Sequence, residues 1–486
     1  MLTWLHESTA GLLLLCALAI AVLLVLIIKV KLEPFIALLI AGFALALAAG
    51  LPVTEIVGTA LSASDSVLEK GFGGILGHIA VIVGLGTVLG AILERSGGAD
   101  VLVAKLTGLF GERGAPVAMG LTGLIFGIPV FFDIGIFVLA PLTYIAARRG
   151  GRSLALYALP MLAGLSMTHA FLPPHPGPTA AAGLLGVDLG WVILMGLVCG
   201  LPAFAAAGIA WPYVIGRRIH VEVPAEFVQD TRPPAGGAGD GADGGTGGTG
   251  GGGGGTAVAE RTTTPVRLPT VLGIVAVPLV LILGATFGTV TLEESSLLSV
   301  LTFLGNPAVA LTVAVLLAFW LLGVRRGTSV AELGSVTADS LRPVGMILLV
   351  VGAGAFFGKV ISATGVGAAL ADTMSDAGLP VILLAYLISC GLRVAQGSAT
   401  VALVTTGGIV GPLVEGAGYS PAQLAVLAIA IASGSIIASH VNDGGFWIIS
   451  RYFGMTVKQT LATWTVLETI LSVVGFAMVA LVWAFL

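Results

Sequence analysis

Residues 77–98 read GHIAVIVGLGTVLGAILERSGG, and residues 345–366 read GMILLVVGAGAFFGKVISATGV. A shift of 268 positions brings Gly77, Gly84, Gly86, Gly90 and Gly97 onto Gly345, Gly352, Gly354, Gly358 and Gly365. Five matches within so short a stretch exceed chance, even in a chain with 71 glycines among 486 residues. Thr168-His169 also falls opposite Ser439-His440 once a few residues of gap are allowed. The chain therefore consists of two related halves, and weak internal repetition of this kind is a mark of transporter folds.

The segment between the halves differs from both. Ala235–Thr256 reads AGGAGDGADGGTGGTGGGGGGT, a composition that behaves as flexible coil. It separates an N-terminal half, 1–219, from a C-terminal half, 266–486, with a linker at 220–265. In both halves 20-residue apolar stretches recur, the length that spans about 30 Å of hydrocarbon. Apolar residues make up 57% of the chain and charged residues 9%, and mean hydropathy is +1.08. A water-soluble chain carries roughly a quarter charged residues. The composition thus specifies an all-α, polytopic membrane protein. No basic cluster precedes the apolar run Leu12–Ile28, so that run is expected to stay as a span rather than to be cleaved as a signal. Cys16, Cys199 and Cys390 lie in apolar stretches and form neither a disulfide framework nor a zinc spacing. The net charge of −4 says little in such a chain, where the location of charge matters more than its sum; no nucleic-acid partner is expected.

Full spans are expected near 11–30, 34–50, 73–94, 154–186, 190–216, 268–288, 298–323, 343–363, 420–449 and 460–484. Two more apolar segments, near 115–147 and 380–410, are interrupted by polar, glycine-bearing stretches. Read as re-entrant hairpins, they let the basic residues sort to one side. Lys29, Arg95, Arg148, Arg149, Arg217, Arg218, Arg325, Arg326, Arg342 and Arg451 all become cytoplasmic, whereas the opposite loops hold only Lys70. That asymmetry follows the positive-inside rule and places the glycine linker inside and both termini outside. Five spans per half is an odd number, so the second repeat is expected to be inverted. Each repeat then holds five spans, a hairpin and a broken helix.

The hairpin arms are short. Ala115–Ile128 climbs about 21 Å and Pro380–Leu392 about 20 Å at the helical rise, so both tips are expected near mid-membrane. Non-helical backbone is tolerated there only against protein or a water-filled cavity. Four polar stretches occur at such depth. They are the tip GIPVFFDIG (127–135), the break THAFLPPHPGPT (168–179), the tip LRVAQGSAT (392–400) and the break SHVNDGGFW (439–447).

Asp133 on the first tip is a buried-carboxylate candidate. Charge at the bilayer centre costs at least about 2.5–3.5 kcal/mol, so the group is protonated, paired or hydrated. It is expected to carry a proton or accept a hydroxyl; the alternative is a cap for a broken helix. Thr168, His169 and His175 flank Pro173 and Pro174, which free the preceding carbonyls for a substrate. Histidine titrates near neutral pH, and His440 occupies the matching place in the other half. Asn442-Asp443 before Gly444-Gly445 forms either a substrate and proton site or an N-cap. Gly397, Ser398 and Thr400 offer small side chains, hydroxyls and free backbone donors. Arg393 is the only arginine away from a cytoplasmic end, about 20 Å deep by the helix rise. Its planar fork matches a carboxylate with two hydrogen bonds; a permanent pair with Asp443 or Asp133 is the competing reading. Within spans, His78, Lys359 and Glu468 are weaker signals that could pair with neighbours or snorkel.

At LPPHPGPTA, RVAQGSATVA and SHVNDGGFW the chain resembles the gluconate:proton symporter (gluconate permease) family, over nearly its whole length apart from the linker. The resemblance implies paired inverted repeats with re-entrant hairpins, and import of gluconate or a similar sugar acid with protons across the bacterial inner membrane. Some members of that family take fructuronate, idonate or D-serine. No cofactor is implied beyond the proton gradient. On the residue assignments above, substrate would meet Arg393, Gly397, Ser398, Thr400, Thr168, His169, His175 and Asn442, and Asp133, Asp443 and His440 would handle protons. Asp133 stands where many members carry Glu, which leaves the choice of substrate open. The sequence also admits a sodium-coupled carboxylate carrier, or one for D-serine or short hydroxy acids, and a homo-oligomer. An intramembrane hydrolase is disfavoured, because no HExxH pair occurs and Ser398 has no base beside it. A channel fits paired hairpins less well than alternating access does.

Overall fold

In a computed structural model the described residues are 4–5, 8–59, 65–224, 266–342, 344–366, 369, 373, 380–441 and 443–486. The glycine-rich stretch and most of 364–379 lie outside them, as does Asn442. The described chain is helical, with no β-strand among those residues.

The N-terminal half runs α1 (Thr9–Ile28), α2 (Pro34–Ala48), α3 (Val53–Val57), α4 (Val67–Arg95), α5 (Gly98–Gly127), α6 (Phe132–Gly150), α7 (Ala155–Phe171), α8 (Pro176–Leu185) and α9 (Leu189–Ile215). The C-terminal half runs α10 (Leu268–Thr291), α11 (Ser296–Gly305), α12 (Pro307–Arg326), α13 (Val330–Leu341), α14 (Val344–Ala363), α15 (Val381–Gln396), α16 (Ala399–Val414), α17 (Pro421–Ser435), α18 (Gly444–Tyr452) and α19 (Val457–Trp483). Eight helices among the described residues are long and apolar enough to cross a membrane.

From α4 and from α14 onward the two halves repeat one order: a long helix, a hairpin, a broken helix and a long closing helix. The hairpin turns fall at Ile128–Phe131, between α5 and α6, and at Gly397-Ser398, between α15 and α16. The broken helices part at Leu172–His175, between α7 and α8, and at Ile436–Asp443, between α17 and α18. Proline explains the first break, since Pro173 and Pro174 remove two donors in succession.

The matched glycines do matched work. Gly97 and Gly365 both take left-handed backbone (φ 77° and 74°) just beyond their helices. A Cβ on Gly90 would strike the Pro129 carbonyl, and one on Gly358 the Gly408 carbonyl. In each half, then, the long helix is touched by hairpin backbone where only hydrogen fits.

Two boundaries differ from expectation. The span expected at 298–323 is divided at Asn306, whose side chain accepts a hydrogen bond from Ala308 N at 3.1 Å. Pro307 follows it, and the residue before a proline is disfavoured in helix. α11 is therefore about 15 Å long and α12 carries the crossing. α5 is two helical stretches parted at a kink at Gly111 (φ 64°, ψ −177°), so the first hairpin arm begins just beyond Gly111, slightly before Ala115.

α7 is buried along nearly its whole length, whereas α1 is peripheral. Lipid-like side chains give no hydrophobic drive between helices in a bilayer, so close contact through small residues decides packing. Gly120 and Gly123 of α5 lie against Pro160 and Met161 of α7, and Gly127 against Thr168. This contact holds the first hairpin tip to the centre of the molecule.

The inversion expected from the sequence makes a labelling prediction. With the native cysteines replaced, cysteines at 53–57 should react with impermeant thiol reagent in intact cells. Cysteines at 325–328 should react only after permeabilisation. The reverse pattern would overturn the orientation, and labelling of both sites from the same side would overturn the inversion.

Candidate functional site

Both hairpin tips and the second break meet at one cavity of about 380 Å³, within the range of small-molecule sites. Phe131, Phe132 and Asp133 come from the first tip, and Arg393, Gly397, Ser398, Ala399 and Thr400 from the second. The break supplies Ile436, Asp443, Gly444 and Gly445. Helix α7 adds Ser166 and His169, and α19 adds Trp464 and Glu468.

The starts of α6, α16 and α18 all fall in this wall. Unpaired N–H groups and the positive end of the helix dipole gather at each start. Ser398 caps α16 by accepting from Val401 N at 3.4 Å, and Asp443 caps α18 by accepting from Gly445 N at 2.9 Å. Three helix starts facing one space make it favourable for an anion.

Arg393, 4% exposed, is the cation at its centre. Its Nη2 lies 2.5 Å from Asp443 Oδ2, and Asp443 is 15% exposed. Its Nη1 donates to the Gly397 carbonyl. Gly397 adopts φ 88° and its N–H returns to the Arg393 carbonyl at 2.9 Å. The left-handed glycine thus folds the end of α15 back over the guanidinium, a conformation that side-chain-bearing residues rarely adopt. Nε of Arg393 has no hydrogen-bond partner among the described residues.

Asp443 is held from several sides. Besides Arg393 and Gly445, the Ser439 hydroxyl donates to its Oδ2. Trp464 Nε1 donates to the Ser439 hydroxyl oxygen at 2.8 Å, and the Thr465 hydroxyl donates to the Ser439 carbonyl at 2.5 Å. The N-cap and the ion-pair roles foreseen for Asp443 coincide in one carboxylate. The partner of Arg393 is Asp443; no ion pair of Arg393 with Asp133 occurs among the described residues.

The remaining residues singled out in the sequence divide. Asp133 presents an exposed carboxylate to the cavity, with no hydrogen bond or ion pair among the described residues. His169 lines it, edge-on to His175 at a ring separation of 5.1 Å. Thr168, His175 and His440 do not line it. Thr168 spends its hydroxyl on the Gly164 and Leu165 carbonyls of its own helix, each at 3.0 Å. His175 Nε2 lies 2.6 Å from the Gly127 carbonyl; it ties the first hairpin to the break, and its backbone begins α8 on the far side. His440 Nε2 lies 3.2 Å from the Val394 carbonyl, against the second hairpin. Pro173 and Pro174 line a separate, apolar space with Ile128 and Pro129. Neither proline lines the cavity formed by the hairpin tips. Asn442 lies outside the described residues.

Several wall residues carried little signal in the sequence. Phe132 stacks on Trp464 with ring centroids 5.6 Å apart and closes one side. Ser166 is one buried hydroxyl in an apolar helix. Glu468 had a usable signal, as the only ionisable residue in Val466–Trp483, and an intramembrane carboxylate is a functional candidate by default.

The GntP family permease profile matches residues 11–235 and 255–486. The inner membrane permease YgbN of Escherichia coli is 37% identical, over 98% of this chain and 99% of its own. A gluconate permease of Pseudomonas aeruginosa is 38% identical, over 97% of each chain. Among solved structures, the YdaH transporter of Alcanivorax borkumensis superposes with a TM-score of 0.59 at 13% identity, over 93% of this chain and 97% of its own. That likeness concerns the fold. Membrane-length helices, a central cavity lined by hairpin tips, and full-length similarity to permeases describe a multi-pass inner-membrane transporter and not an enzyme: the chain belongs to the GntP family of permeases.

Proposed function

We propose that the protein imports gluconate, or a closely related sugar acid, together with a proton. The observation that carries this reading is the meeting of Arg393 with three helix starts in one cavity. A monocarboxylate needs one cation and a set of backbone donors, and its hydroxyls need acceptors and small polar partners. Ser166, Ser398 and Thr400 are such partners, and Asp133 is an exposed acceptor. Similarity to gluconate permeases supports a polyhydroxylated acid within the wider class of carboxylates.

Arg393 is neutralised by Asp443 in the structure. Substrate carboxylate reaches the guanidinium by taking the place of Asp443, so binding is an exchange of one anion for another. Ser439, Gly445 and the start of α18 remain to hold the released Asp443. Ligand entry therefore moves the second break against the second hairpin, a motion suited to alternating access.

Uptake into proteoliposomes tests this. An inward acid-to-neutral gradient should drive D-gluconate accumulation, and Asp133→Asn and Asp443→Asn should each abolish it. A monoanion entering with one proton moves no net charge, so membrane potential, worth about 2.3 kcal/mol per charge per 100 mV, should have little effect. Strong dependence on potential at clamped pH, or dependence on sodium, would replace the proton with another coupling ion. Screening D-serine and short hydroxy acids alongside sugar acids checks the substrate class.

A further inference from the structure

Two unmatched groups share the wall of the cavity. Arg393 Nε is a buried donor with no partner, and Glu468 Oε1 is a buried acceptor with no partner among the described residues. Glu468 is 2% exposed and has no ion pair among those residues. A carboxylate ionised in that position is almost wholly buried and has no ion pair of its own among those residues, and burial opposes such a state unless a cation turns toward it. Asp443 differs, since an arginine, a backbone N–H, a hydroxyl and a helix start hold its charge. Among the acidic groups of the cavity, Glu468 is the one whose charge depends on whether Arg393 is free to turn toward it.

We infer that Glu468 is the proton-carrying residue of the transporter, because its anion and the substrate's carboxylate compete for the single cation Arg393. In the empty carrier Glu468 gives up its proton and its carboxylate takes the free donor of Arg393 beside Asp443. When substrate occupies the guanidinium, Glu468 loses that counter-charge and must bind a proton. The empty site then holds Arg393, Asp443 and Glu468 as one cation and two anions. The loaded site holds Arg393, Asp443 and the substrate anion, with Glu468 neutral. Net charge is −1 in both, so one proton enters with each substrate anion. This inference rests on the reading of the cavity as a sugar-acid site.

Other groups around Glu468 are few. Ser166 lies beside its carboxyl, and His169 shares the wall from α7. Asp133 of the first tip, and Asp443 and Arg393 of the second half, line the same cavity. Tyr386 of α15 is engaged by Ser472 at 3.0 Å, one turn further along α19. Of the other helices packed against α19, α17 carries no ionisable residue, α9 carries Cys199 and Tyr213, and α15 carries Cys390 besides Tyr386 and Arg393; neither cysteine nor either tyrosine lines the cavity.

The experiment measures D-gluconate binding to the purified full chain by calorimetry in buffers of different ionisation enthalpy, with transport in proteoliposomes alongside. Wild type should take up about one proton per gluconate bound at a pH where the empty site has lost its proton. Its affinity should fall about tenfold per pH unit there. In Glu468→Gln proton uptake on binding should drop to near zero and affinity should become flat with pH. The ratio of gluconate counterflow to pH-driven accumulation should rise at least tenfold. Glu468→Asp should restore the pH dependence with a shifted midpoint. Independently of any variant, gluconate should increase the infrared absorption of protonated carboxylic acid in wild type. Failure of that band to rise overturns the proposal even if Glu468→Gln does not fold. Proton uptake that persists in Glu468→Gln overturns it too, and leaves the sugar-acid reading standing. A wild type that binds no gluconate defeats both together.

Discussion

Arg393→Lys is expected to leave folding intact and to weaken gluconate binding about 100-fold. The guanidinium faces three ways at once: one nitrogen to Asp443, one to the Gly397 carbonyl, and Nε unmatched. An ammonium is a compact point charge on a flexible stem and cannot present that fork. A hydrogen bond to a charged group contributes about 1.5–3 kcal/mol, and each 1.4 kcal/mol is tenfold in affinity. The loss of one such bond to substrate gives the stated factor. Equilibrium binding with detergent-purified protein measures it directly.

The competing view holds that Arg393 serves only to pin the second break to the second hairpin. Removing one partner of a buried pair costs about 3–5 kcal/mol, because the other is left uncompensated. Under that view Arg393→Gln and Asp443→Asn each fail, and the double variant recovers transport. If Arg393 also holds substrate, the double variant folds as well as wild type and remains inactive. Recovered uptake in the double variant would move the carboxylate site elsewhere.

Gly164→Leu is expected to give the largest loss of stability, about 3 kcal/mol or more. A Cβ at Gly164 of α7 would sit against the backbone of Gly120, Gly123 and Leu124 of α5, with Gly123 C at 2.8 Å. Those atoms are main chain on both helices and cannot swing away as a side chain would. The helices must separate, and the first hairpin tip leaves the cavity with them. Loss of monodisperse protein and a lowered unfolding temperature are the readouts. Gly77→Ala serves as the contrast, since nothing lies within 4 Å of its Cβ position; wild-type stability is expected there. An unaffected Gly164→Leu would mean that α5 and α7 are not held by this contact.

Much of the fold is legible in the sequence. Apolar runs of membrane length, proline pairs and glycine-bearing interruptions are local features, and each left its mark on a helix end or a break. The hairpin tips and the broken helices fall where GIPVFFDIG, RVAQGSAT, LPPHPGP and SHVNDGG interrupt apolar sequence. Asn306-Pro307 was also readable, but apolar residues on both sides masked the division it imposes.

The site was legible only in part. Sequence determined that Arg393, Asp133 and Asp443 could not face lipid, because charge at that depth needs a partner or water. It also determined that the tips and breaks would hold exposed backbone groups. Tertiary packing decided which of these groups meet. Arg393 and Asp443 are 50 residues apart and join because the second hairpin lies on the second break. His175 and Thr168 lie in the same polar stretch as His169 yet turn into the protein. The rotation of α7 is set by glycine contacts with α5, and only one side of that helix can reach the cavity. Glu468 entered the wall for the same reason: α19 packs against α17, α9 and α7, and those contacts turn its single carboxylate into the cavity wall rather than toward lipid. Local composition places a polar residue at a depth, but the rotation of its helix, fixed by close contact with other helices, chooses what it touches.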